Sequence, residues 1–169
     1  MNSVVGSINM DIVVTSDKMP CKGETIGSIP VLLNPSPALA MSSELIDKVT
    51  YLIPNEHEVK KVFQTEADIE NLMHRYPNKL IITFGKNGVK YSNGKSIICV
   101  PAIEAEVVDT TGAGDTFTGA FAKSVSEGST LYDAIIFAQY AGGLSVEKMG
   151  AQGGMPTLIE VKGRMVTST

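Results

Sequence analysis

DTTGAGDTFTGAF, residues 109–121, brackets two threonines and a Gly-Ala-Gly run between two aspartates and continues into an apolar, small-residue segment. Upstream, EAEVV (104–108) is a predicted strand; downstream, FTGAFAKSVSEG (117–128) has helical character, so the stretch reads as a strand-to-helix turn. Such a turn is an anion site. Gly112, Ala113 and Gly114 leave backbone amides uncovered at the positive end of the helix, where they can cradle a phosphoryl group. Asp115 then stands where negative charge would gather, an awkward place for a carboxylate unless it accepts a proton from an attacking hydroxyl. A favourable first-turn acid behind a tight glycine turn explains the same residues, and the stretch alone leaves both readings open.

The rest of the chain sets the context. At 169 residues, 43% hydrophobic and 19% charged, it can bury the core of one globular domain. A net charge of -4 with scattered Lys and Arg gives no footprint for nucleic acid or an anionic membrane. The start, MNSVVGSINMDIVV, has no basic leader region and Asp11 breaks its apolar run, so neither a signal peptide nor a spanning helix is expected and the reading is cytoplasmic. Cys21 and Cys99 are isolated thiols without metal-ligand spacing, which fits a reducing compartment.

Strand and helix patterns alternate. SVVGSINMDIVV (3–14) reads as a strand, MPCKGETIG (19–27) as a turn towards a second, and PVLLNP (30–35) as a short buried strand. SSELIDKV (42–49) and EHEVKKVF (56–63) read as helices around the strand YLIP (51–54). TEADIENLMHRY (65–76) predicts an amphipathic helix capped by its threonine, and KLIITFG a buried strand. VKYSNGKSIICV (89–100) predicts a hairpin closed by a two-residue Asn93-Gly94 turn. Helices are expected over 113–127 and 130–148, the second with Ala134, Phe137, Ala138, Ala141 and Ser145 on one stripe. Alternation of this kind implies an α/β sheet covered on both faces.

DTTGAGDTFTGAF closely resembles the second signature of the carbohydrate kinases of the ribokinase family. VVGSINMDIVVTSDKMPCKGETIGS resembles the family's start, and VLLNPSPA, YLIPNEHEV and MGAQGGMP follow in the family's order. The resemblance implies a ribokinase-like three-layer α/β/α sandwich with a mainly parallel central sheet, and ATP-dependent phosphorylation of a sugar primary hydroxyl, ribose being favoured. It makes Asp115 the catalytic base and Gly112, Ala113 and Gly114 the anion hole. Asn9 and Asp11 in GSINMD match residues that hold sugar hydroxyls, although Asp11 could also lie on an exposed strand face. Asn55 and Glu58 in NEHE match the motif that organises Mg²⁺, water and phosphate, and the same spacing is a helix capping box. Thr83, Gly85, Lys86 and Gly88 in TFGKNG match the nucleotide loop, which could equally be a plain turn, and Gln139 lies where the adenine pocket is lined. Asp109, Thr111, Ser145, Lys148, Gly150 and Gly154 correspond to loops that bind a monovalent cation such as K⁺, mostly through backbone carbonyls. His57 and His74 read as surface residues.

The chain departs from the family at one place. Between GETIGS and VLLNPSPA a member carries a long stretch with a Gly-rich sugar signature and most of the lid; here Ile29 and Pro30 stand instead. The expectation is one shortened domain with the lid largely absent. Residues 1–29 are the remnant of the sugar-binding and lid part, and 30–169 the nucleotide-binding and catalytic part. A nucleotide-binding protein with weak or no catalysis is the rival reading. Apolar surface left by the missing strands predicts self-association, a homodimer being one form of it.

Overall fold

The computed structural model describes the backbone of residues 2–7, 10–15 and 30–167 and the side chains of 30–167. Asn9 and the MPCKGETIG turn lie outside the described residues. The chain divides into two compact units, Met1–Gly85 with Val89–Cys99, and Lys86–Gly88 with Val100–Thr169.

The first unit is built on strands. β1 (Asn2–Ser7) and β2 (Met10–Thr15) pair antiparallel, and β2 pairs antiparallel with β3 (Val31–Asn34), setting Asp11 opposite Asn34 in the backbone register. β3 then pairs parallel with β4 (Tyr51–Leu52), and parallel bridges Leu52–Leu80 and Asn55–Thr83 join β4 to β5 (Ile81–Thr83). β5 continues antiparallel to β6 (Val89–Ser92), which neighbours β7 (Ile97–Val100). A parallel centre of this type needs crossover helices, and the sequence supplies α1 (Ser43–Lys48), α2 (Glu58–Phe63) and α3 (Ile69–Arg75). Their apolar positions Ile46, Val59, Val62, Leu72 and Met73 cluster with Leu33, Leu52, Leu80 and Ile82 of the strands. Each fully buried side chain of this size contributes about 1.5–3 kcal/mol, so this cluster holds the unit together.

The second unit is mostly helical: α4 (Ala113–Ser126), α5 (Leu131–Ser145), a single turn α6 (Ala151–Gly154) and α7 (Leu158–Thr167). Phe117 and Phe121 stack one turn apart on α4, with ring centroids 6.4 Å apart, and both are buried. Ala134, Ile135, Ala138, Ala141 and Ser145 are the buried positions of α5. Gly142 of α5 faces the start of α4, where a Cβ would make ordinary contact, 3.6 Å from the Ala113 carbonyl oxygen and 3.6 Å from Phe117 Cβ.

Several local expectations change. The 3–14 stretch forms two strands, β1 and β2, rather than one. α3 starts at Ile69 with Asp68 as its cap; Thr65 caps nothing and accepts instead from the Ala67 amide at 3.0 Å. The hairpin loop has four residues rather than two, because Asn93 Oδ1 accepts from both the Lys95 and Ser96 amides at 2.9 Å and so closes a wider turn. EAEVV forms no strand: the Val108 and Asp109 amides both donate to the Val146 carbonyl, at 2.8 and 3.1 Å, so the segment is anchored to the end of α5 instead of a ladder. On α5 the buried stripe takes Ile135, while Phe137 is half-buried.

Candidate active site

Gly112 makes the turn. Its φ of +80° is a left-handed conformation that L-residues adopt at a cost, and a Cβ there would sit 2.8 Å from Ala151 Cβ and 3.0 Å from Ala151 Cα. Glycine is thus required twice, by conformation and by the close approach of α6. α4 begins immediately afterwards, with its first turn fixed by the Thr116 amide donating to the Gly112 carbonyl at 2.9 Å. The expectation of three open amides is met in part. Ala113 N–H is used by the Thr110 carbonyl at 3.2 Å, whereas Gly114 N–H makes no hydrogen bond among the described residues. The free donor sits at the positive end of a 14-residue helix, the arrangement that favours an anion.

Asp115 lies in that first turn and is exposed. It lines an open groove of about 260 Å³ together with Thr116, Gly119 and Ala120 of α4 and Met155 and Leu158 beyond α6. Thr116 is a residue the sequence reading passed over. Its hydroxyl oxygen is buried and has no hydrogen-bond partner among the described residues.

Behind the turn, the structure gathers most of the predicted cation loops. Asp109 Oδ1 accepts from the Thr111 amide at 2.9 Å and Oδ2 from the Gly150 amide at 2.8 Å, so one carboxylate ties the loop before α4 to the loop before α6. The Thr111 hydroxyl, then the Thr111 amide, then the Gly150 amide hold its carboxyl below the usual range. Gly154 N–H donates to the Gly150 carbonyl at 2.8 Å. A Cβ on Gly154 would meet the Ser145 carbonyl oxygen at 2.4 Å and the Lys148 carbonyl oxygen at 3.5 Å, so two carbonyls converge there. Ser145 Oγ is turned away to donate to the Gly142 carbonyl at 2.7 Å. Lys148 reaches Glu160 at 3.0 Å, which leaves its carbonyl as the group near the loops.

The other predicted residues divide between the units. In the first, Asn55 and Glu58 form a reciprocal capping box: Asn55 N–H donates to Glu58 Oε2 at 2.8 Å, and Asn55 Oδ1 accepts from the His57 and Glu58 amides at 2.9 and 3.0 Å. The box explains why α2 starts at Glu58. Thr83 ends β5, its amide donating to the Pro54 carbonyl at 3.1 Å, and Gly85 is exposed beyond it. In the second unit Lys86 is exposed and Gly88 is buried. Gly88 has φ +85°, and a Cβ there would lie 2.1 Å from the Val100 carbonyl oxygen, so backbone closes over backbone. Gln139 Nε2 donates to the carbonyls of Val100 and Pro101, at 3.3 and 3.1 Å, at the wall of an open cavity of about 630 Å³ that Tyr132, Ile136 and Tyr140 also line.

Among the described residues no group of three or more His, Cys, Asp or Glu side chains could hold a metal. Mg²⁺ held mainly by nucleotide phosphates and water, with one or two carboxylates, is compatible with this set, and Glu58 keeps one carboxylate oxygen outside the capping box. No helix of the described residues is long and apolar enough to cross a membrane.

The sequence pattern of the pfkB family of carbohydrate kinases matches residues 21–158. The chain is 49% identical over 138 residues to the ribokinase of Lactococcus lactis, an alignment covering 82% of this chain and 46% of that one. It is 44% identical over 169 residues to the ribokinase of Bacillus subtilis, covering 96% and 57%. It superposes on the structure of Arabidopsis thaliana ribokinase complexed with ribose and ATP with a TM-score of 0.69 and 31% identity, over 79% of this chain and 46% of that one. The chain thus spans about half the length of the curated relatives it matches, and its shortened α/β fold is ribokinase-like. With the family's pattern running over residues 21–158, the Gly112 turn and Asp115 included, the chain belongs to the pfkB family of carbohydrate kinases.

Proposed function

We propose that this chain carries the nucleotide-binding and base-bearing half of an ATP-dependent sugar kinase, with D-ribose as the acceptor. The observation that carries the reading is Asp115 in the first turn of α4, directly behind a left-handed Gly112 and a Gly114 amide with no partner among the described residues, lining an open groove. The ribokinase relatives and the ribose and ATP of the Arabidopsis complex support the choice of substrates.

In this reading the sugar's primary hydroxyl gives its proton to the Asp115 carboxylate as its oxygen attacks the γ-phosphorus. The bond to the β,γ-bridging oxygen breaks, ADP leaves, and Asp115 later returns the proton to solvent. The Gly114 amide and the α4 dipole stabilise charge on the transferring phosphoryl group. Mg²⁺, when bound with ATP, neutralises phosphate charge. Asn55 and Glu58 orient its water and phosphate shell, Thr83, Gly85, Lys86 and Gly88 serve the nucleotide, and Gln139 fixes the 100–101 backbone beside the base. Asn9 and Asp11 hold sugar hydroxyls. Carbonyls of the Asp109 and 145–154 loops would hold a monovalent cation, and Asp109, by accepting from the Gly150 amide, ties those loops to the Gly112 turn.

A second reading, nucleotide binding with weak catalysis, is favoured by the short span of the chain relative to its relatives. Misplacing a reacting hydroxyl by about 1 Å can cost about 100-fold in rate, whereas binding tolerates such damage. Calorimetric titration with ATP–Mg²⁺ tests the part common to both readings: saturable binding is expected, and its absence would overturn both.

A further inference from the structure

The loop after α5, Val146-Glu147-Lys148-Met149-Gly150, has little apolar packing of its own: Met149 is 72% exposed, Val146 half-buried and Gly150 exposed. Charged side chains hold it instead. Arg164 Nη2 donates to both carboxylate oxygens of Glu147, at 3.0 and 2.8 Å, and Lys148 Nζ donates to Glu160 Oε1 at 3.0 Å. Glu160 and Arg164 stand four residues apart on α7, so they share one side of that helix and grip neighbouring loop residues of opposite sign. α7 is itself fixed. Val161 is buried, and Glu160 Oε2 accepts from the Thr157 amide at 2.7 Å while the Glu160 amide donates to Thr157 Oγ1 at 3.3 Å, a capping box. The far end of the same loop reaches the anion turn: the Gly150 amide donates to Asp109 Oδ2, Asp109 Oδ1 accepts from the Thr111 amide, and Ala151 packs on Gly112.

We infer that Arg164 is a positioning residue for the Gly112 turn, acting from α7 through Glu147, the 147–150 loop and Asp109. Resting on the sugar kinase reading, which gives the turn its task, this assigns a role to a residue that touches neither substrate. Of the two loop contacts the Glu147–Arg164 pair carries more. Its side chains are 22% and 34% exposed and both carboxylate oxygens are bonded, whereas the Lys148–Glu160 pair is about half exposed and screened by salt. Without the guanidinium, the Glu147 carboxylate regains full solvation only if the loop swings outward, which draws Gly150 from Asp109 and Ala151 from Gly112. Neutralising Glu147 as well removes that drive.

The test compares wild type with Arg164→Met, Glu147→Gln and the double variant. ATP–Mg²⁺ affinity is read by calorimetry, and exchange of the Thr111 and Gly150 amides, the two donors to Asp109, by NMR, with urea unfolding to establish that each variant is folded. Arg164→Met should weaken ATP binding and speed exchange of both amides by ~3–30-fold, the range for coupling through such a network, while the Phe121 and Ala122 amides in the middle of α4 keep their rates. The double variant should be no worse than Arg164→Met alone. ATP affinity equal to wild type in the single variants overturns the inference, and so do single effects that add in full in the double variant. If Arg164→Met does not fold, Glu147→Gln carries the test alone: weaker ATP binding with faster Thr111 exchange supports the inference, and wild-type values overturn it. A wild-type chain that binds no ATP refutes the kinase reading, and Thr111 exchange then decides: a faster rate in the variants supports the positioning, an unchanged rate overturns it.

Discussion

Replacing Gly112 by alanine attacks the turn on which the whole reading depends. Two costs follow from its geometry. A non-glycine residue at φ +80° costs about 1–2 kcal/mol. The new Cβ would also stand 2.8 Å from Ala151 Cβ, where carbon contacts prefer about 3.5–4.0 Å, and overpacking of this degree costs about 1–3 kcal/mol. Together Gly112→Ala should destabilise by about 2–5 kcal/mol. Gly119→Ala, seven residues along in the same helix, is the control. Gly119 has open space around it, so alanine there should stabilise by about 0.5–1 kcal/mol through helix propensity. Urea unfolding reads both: at an m-value of about 2 kcal/mol/M the Gly112→Ala midpoint falls by about 1–2.5 M while that of Gly119→Ala rises slightly. ATP affinity should fall with Gly112→Ala measured below its unfolding transition, because the Gly114 amide moves with the turn. If the two variants shift stability alike, the close approach of Gly112 to Ala151 is wrong and the turn is not held as described.

Two further outcomes are expected. Glu160 accepts from the Thr157 amide at 2.7 Å and is also bonded by Lys148 and the Thr157 hydroxyl, which bring its pKa from 4.5 to about 2. A carboxyl depressed on folding contributes stability that is full above pH 4.5 and lost as pH falls towards 2; Glu160→Gln should therefore flatten the acid limb of an unfolding-versus-pH curve in that window, and an unchanged limb would count against the contact. Exchanging K⁺ for Na⁺ at constant ionic strength should alter ATP affinity or turnover, since Asp109 links the loop at Gly150 to the Gly112 turn, and indifference to the ion would remove the cation from the account.

The parts of the fold that were legible in sequence are those where one local signal dominates. Apolar runs such as VLLN and IIT became strands, and the Gly-Ala-Gly turn marked the start of α4 to the residue. Tertiary competition decided the rest. EAEVV has strand composition, yet its last amide and that of Asp109 donate to the carbonyl of Val146, a residue distant in sequence. Asn93-Gly94 predicts a two-residue turn, whereas the Asn93 side chain closes a longer loop. For the candidate site, motif order singles out Asp115, Asp109 and the glycines. What no motif carries is that Ala151 packs on Gly112, which depends on how α6 meets the start of α4, or that the Thr116 hydroxyl is buried with no hydrogen-bond partner among the described residues. Of the three glycines of GAQGG, Gly154, pressed on the Ser145 carbonyl, is the available hint of close packing there.

The central claim is that Asp115 is the base of a sugar kinase, and ADP formation with and without ribose, for the wild-type chain and Asp115→Asn side by side, tests it most directly. The account predicts ADP formation that depends on ribose and falls by about 10²–10⁴ in the variant, the range for a positioned general base, with ATP–Mg²⁺ affinity unchanged. ATP consumption indifferent to ribose, or equal in the two proteins, would contradict it.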